Sequence, residues 1–205
     1  MSAARVPLGG FEPLAVGYFW LGAEKRYAEG DLPEAVATYR LVTELSPHVG
    51  PAWALPAHLL VWTDSGSGDA EAEWRWVREG LALLDRGLEL SPNDPELRRT
   101  EGQTCLFRLT ATEELHAVAT RELGELPEAR AVRAFRALER VQPDAQATRL
   151  LTAALAELGD RHWDRGEPDL ARMAYEEVLP RLEATAAASE WSRGKAAEVR
   201  SRLSK

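Results

Sequence analysis

The chain has 205 residues, 45% hydrophobic and 28% charged, with a net charge of −8. Ala, Leu, Glu and Arg dominate while strand-forming runs of Val, Ile and Thr are scarce, which predicts a single all-α domain with a sizeable core. The acidic balance excludes a general nucleic-acid role, which needs a basic stripe against phosphates, and leaves room for a basic or apolar protein partner.

Residues 1–14 hold Pro7, Pro13 and a Gly9-Gly10 pair and read as an extended lead-in. Pro7, Glu12 and Pro13 interrupt the apolar run that a signal peptide needs, and no stretch approaches the roughly 18 apolar residues of a membrane span. A cytoplasmic protein without direct membrane insertion is expected. A first helix is predicted from Ala15 to Glu29, ended by Gly30; Asp31 caps a second, with Pro33 in its first turn, which runs to Leu45 before Pro47. A second pair opens at Gly50-Pro51, where Pro56 should kink the helix. The polar run from Asp64 to Asp69 follows as a flexible loop, and a long helix from Ala70 to Leu90 stops at Ser91-Pro92.

Asn93-Asp94-Pro95-Glu96 is a strong helix start for a third pair, in which Gly102 takes a small-residue position and Cys105 a buried one. An extra helix is expected from Glu113 to Leu123, before Pro127 starts one that carries Ala131, Phe135 and Leu138 and stops at Pro143. The fourth pair repeats the first closely. Leu155, Gly159, Trp163, Gly166, Ala171 and Tyr175 stand at the offsets of Phe19, Ala23, Tyr27, Gly30, Ala35 and Tyr39. Pro180 should bend or end its second helix, and a last helix over 184–203 can cover the end of the stack.

These offsets of bulky, small, glycine, alanine, aromatic and closing proline resemble the tetratricopeptide repeat (TPR) family, whose period is about 34 residues. The resemblance spans residues 16–182, in units 16–47, 50–92, 93–143 and 146–182, although the second closing proline lies 45 residues after the first. It implies a right-handed superhelical solenoid of about four helix pairs with a C-terminal capping helix, a single domain over 15–205. The segment Glu73-Trp74-Arg75-Trp76-Val77, after Tyr18-Phe19-Trp20-Leu21 and Pro47-His48, is also similar to a group of uncharacterised bacterial TPR proteins. That group brings no known activity.

In a TPR the first helices of successive pairs line a concave face that holds a peptide or partner helix. The family's groove offsets place Trp20, Glu24 and Tyr27 there from the first unit, and His58, Val61 and Trp62 from the second. The third gives Arg99, Gln103, Leu106 and Phe107, and the fourth Asp160, Trp163 and Asp164. The result is an aromatic groove with acidic ends, suited to a partner with an apolar or basic segment. Phe19 fills the packing offset, so Trp20 is expected at the surface. Trp20 and Glu24 depart from the Lys, Asn and Arg that chaperone-tail-binding TPRs present. Trp74 and Trp76 cannot share one helix face, so one can pack inward while the other meets a partner.

Nothing in the chain points to catalysis or a cofactor. His48, His58, His116 and His162 are scattered without metal-ligand spacing, no glycine-rich loop follows a strand, and Cys105 sits at a core offset. A non-enzymatic interaction module is therefore expected. The alternative is a structural subunit or homo-oligomer of a larger complex, in contact through outer apolar faces.

Overall fold

The fold is that of a computed structural model that describes residues 12–63 and 69–204, and helices are the only regular structure among them. They are α1 (Glu12–Ala28), α2 (Leu32–Leu45), α3 (Gly50–Val61), α4 (Ala70–Leu90) and α5 (Pro95–Gln103), which continues as a π-helical turn (Thr104–Arg108). After it come α6 (Glu113–Leu123), α7 (Pro127–Val141), α8 (Ala145–Asp164), α9 (Pro168–Thr185) and α10 (Glu190–Leu203). The all-α class is as expected. Of the lead-in, residues 1–11 lie outside the described residues and 12–14 belong to α1; the loop expected over 64–69 also lies outside them except for its last residue.

Side-chain caps begin most of these helices. Asp31 accepts from the Glu34 amide at 3.3 Å, Asp94 from those of Glu96 and Leu97 at 3.0 Å, and Asp144 from that of Ala147 at 2.7 Å. Gly30 and Gly166 turn the chain at corresponding places with φ of 82° and 71°, left-handed geometry that a side chain resists. The extra helix α6 is where it was expected. Pro180 does not end α9, which runs on to Thr185, so the last helix starts at Glu190 rather than near residue 184.

Most helices pack chiefly against their neighbours in sequence; α5 packs chiefly against α7, and also touches the first helix α3, while α6 lies mainly on α4. One contact recurs. A small residue on the first helix of a pair lies under an aromatic ring of the second. A Cβ on Gly159 would stand 2.5 Å from Cε1 of Tyr175, a Cβ on Gly102 would run into the Phe135 ring, and Ala23 packs with Tyr39. Tyr39 and Tyr175 follow their small partners by 16 residues, whereas Phe135 follows Gly102 by 33. The difference of 17 is an insertion comprising α6 and its flanking turns.

α6 packs against α4. Arg121 of α6 pairs with Glu71 at 2.8 Å, and Arg108 of the π turn pairs with Glu73 at 2.9 Å while donating from Nε to the Val61 carbonyl at 3.0 Å. The lengthened start of α4 is thus covered by material inserted in the next pair. A second network fastens α6 to α7 and α8. Glu128, 1% exposed, accepts from His116 Nε2 at 3.1 Å and from Arg161 Nε at 3.2 Å, and Arg161 also reaches Glu113 at 3.1 Å.

Candidate functional site

The first helices α1, α3, α5 with its π turn, and α8 each carry an aromatic residue at or just past their last turn: Tyr27, Trp62, Phe107 and Trp163. The first three are 52%, 46% and 47% exposed, far more than ring-sized apolar groups in a packed core. The Arg108 bond to the Val61 carbonyl joins the end of α3 to the π turn. His58 lies one turn before Trp62, its ring 5.9 Å from the indole. Its burial, opposed by the charge of Glu96, lowers its pKa.

On α1 Trp20 is not the surface residue expected: it and Phe19 are both half-buried. Trp20, not Phe19, packs on the cluster of Ala23, Tyr39 and Leu59, with its ring edge-on to Tyr39 at 5.6 Å. Its indole N–H donates to Glu24 Oε1 at 2.9 Å. Glu24 and Tyr27 are open to solvent beside it. Val61 and Leu106, expected on the face, are buried in the main core. Arg99 and Gln103 are half-buried, and Arg99 is held by Glu96 at 3.0 Å.

The α8 end of the face is already occupied by the chain itself. Asp160 Oδ1 accepts the Tyr175 hydroxyl at 2.8 Å and Arg202 Nη1 at 2.5 Å, and Oδ2 takes the Lys195 ammonium. The Arg202 guanidinium also donates to the Tyr175 oxygen and lies 5.6 Å from the centroid of the Trp163 ring and 5.7 Å from that of Tyr175. Burial, and then the hydrogen bond to Asp160, push the Tyr175 hydroxyl pKa up. Burial works against the Lys195 charge, but the bonds to Asp160 and Glu198 hold its pKa above the ordinary value. Asp160 and Trp163 are therefore not open to a partner while α10 is docked; Asp164 remains exposed.

Nearer the start of α8 the two helices diverge around a cleft of about 760 Å³, walled by Leu150, Ala153 and the half-exposed Trp191, with Arg149 at its edge. Trp74 is buried at 4% exposure and Trp76 is half-buried against the core. Trp74 is therefore a packing residue of the main core and not the open contact that its spacing allowed. Cys105 is fully buried, and burial, only partly countered by Arg130, pushes its thiol to a pKa of about 12, which leaves it unreactive. Among the described residues no His, Cys, Asp or Glu cluster is arranged to hold a metal, and no helix is long and apolar enough to cross a membrane.

No family model matches the sequence, and none of the curated proteins matches it.

Proposed function

We propose that the protein is a non-enzymatic, TPR-like interaction module that captures a peptide or helix of a protein partner on the face formed by its first helices. The solenoid reading is supported by neighbour-to-neighbour packing and by the recurring small-residue contact at Ala23–Tyr39, Gly102–Phe135 and Gly159–Tyr175. The observation that carries the functional reading is the half-exposure of Tyr27, Trp62 and Phe107 at corresponding ends of successive helices. Aromatic rings held rigidly and left in water are the anchors that peptide-binding faces use.

A Trp62→Ser, Phe107→Ser double variant should fold like the wild type, because both side chains are half in solvent, yet lose the partner. Affinity capture from the native host, with both proteins as bait and mass spectrometry as readout, tests this. A partner held equally by both baits sinks the reading.

One observation favours the subunit alternative. Leu14, Tyr18 and Leu21 form an apolar stripe on α1, at 68%, 75% and 67% exposure. A mass in solution that rises with concentration, and that Tyr18→Ser reverts, would move the function there.

A further inference from the structure

The acidic-aromatic site that Arg202 fills at one end of the protein has a counterpart at the other end with no cation in it. Glu24, Tyr27 and Tyr39 stand at the same offsets, 136 residues earlier, as Asp160, Trp163 and Tyr175. At the C-terminal site the filled state is visible. A guanidinium lies against two rings, with its N–H groups on a carboxylate and a tyrosine oxygen. Lys195 shares the same carboxylate. The cations come from α10, the helix that follows the pair.

At the N-terminal site the helix that follows is α3, and it presents Leu55 and Leu59 to this cluster, with no cation. Tyr39 is 1% exposed, and its hydroxyl makes no hydrogen bond among the described residues. Glu24 and Tyr27 lie close enough to raise its pKa after burial has done so. Glu24 gives Oε1 to the Trp20 indole and keeps Oε2 without a partner. The nearby cations are engaged elsewhere, Lys25 with Glu29 at 3.8 Å and Arg26 with Glu34 at 3.4 Å. An unpartnered hydroxyl on an otherwise buried ring, a half-used carboxylate and an open ring thus stand where the filled site has its cradle, with the guanidinium missing.

We infer that Glu24, Tyr27 and Tyr39 form a receptor for an arginine side chain presented by a protein partner, bound as Arg202 is bound by Asp160, Trp163 and Tyr175. This rests on the reading of the face as a peptide-binding surface and adds to it the residue type recognised. The carboxylate supplies charge-assisted hydrogen bonds, the Tyr27 ring a cation–π face, and the Tyr39 oxygen an unused acceptor.

The probe is N-acetyl-arginine amide, with the citrulline analogue as its neutral isostere. Both are titrated into the full chain while the Trp20 indole N–H, which touches Glu24, is followed by NMR and identified through Trp20→Phe. Arginine should shift that resonance saturably, and citrulline should bind about tenfold more weakly or less. Glu24→Gln should lose the arginine response, Glu24→Asp should keep it because aspartate serves in the filled site, and Tyr27→Trp should tighten it.

Equal responses to arginine and citrulline, or an unchanged response in Glu24→Gln with an unaltered melting curve, would overturn the inference. Loss of the response in both Glu24→Gln and Glu24→Asp would also overturn it, since the filled site shows that aspartate suffices. An arginine-blind site in a protein whose partner is still lost on the Trp62→Ser, Phe107→Ser change would fail this inference alone and leave the interaction reading standing.

Discussion

Gly159→Ala is expected to lower the melting temperature, even though alanine is the better helix former by about 1 kcal/mol. The added Cβ would meet Cε1, Cδ1 and Cζ of Tyr175 at 2.5, 2.6 and 3.2 Å. That ring cannot swing aside, because it is 1% exposed and its hydroxyl is fixed by Asp160 and Arg202. Overpacking of this kind costs roughly 1–3 kcal/mol, which less the propensity gain leaves a net loss of up to about 2 kcal/mol, a fall of up to about 8 °C for a domain of this size. Gly159→Leu, which adds a branched side chain at the same point, should fall further. Gly17 supplies the internal control. A Cβ there meets nothing within 4 Å, so Gly17→Ala should raise the melting temperature. In a Tyr175→Leu background Gly159→Ala should lose its penalty, since the clash belongs to the pair. Thermal scans by circular dichroism of these variants decide it; a stabilising Gly159→Ala in the wild-type background would refute the close approach.

Glu128→Ala should be strongly destabilising, at roughly 3–5 kcal/mol. It would strand His116 in the interior and take from Arg161 its buried partner, leaving only the exposed Glu113. Burial alone would raise the Glu128 pKa, but the His116 hydrogen bond, the backbone and the charge of Arg161 hold it below the ordinary 4.5. A depressed folded-state pKa gives stability that is complete above the unfolded value and is lost as pH falls through the folded one. The wild type should therefore lose stability on acidification below about pH 4.5, and Glu128→Ala should show a shallower loss over that range. Denaturant melts at pH 7, 5 and 3 measure both the offset and the slope. Parallel curves for the two proteins would show that Glu128 does not carry this linkage.

The helix pairs were legible because their signals are local: caps at Asp31 and Asp94, glycine at the Gly30 and Gly166 turns, and prolines at the seams. The pairing of Gly159 with Tyr175 could also be read, since a small residue and a ring at a fixed offset leave few other arrangements. Which side of a helix faces water was harder. A step of one residue turns a side chain by about 100°, and both Phe19 and Trp20 are plausible anchors by type, so nothing local distinguishes them. The same holds for Val61 and Leu106 beside Trp62 and Phe107. The π turn at 104–108 was invisible for a related reason, because its sequence, TCLFR, suits an ordinary helix equally well. The capture of Asp160 by Arg202 depends on a contact across 42 residues, and only the fold shows that α10 docks where a partner was expected.

The cover that α6 gives to the start of α4 ties together two stretches of sequence that lie a whole helix apart. Glu71–Arg121 spans them at 2.8 Å, and Arg108 of the intervening π turn holds Glu73 close by. An amphipathic helix needs a surface to lie on, and the start of α4 supplies one for α6. The two stretches therefore make a single packing unit, and shortening either would bare part of the other.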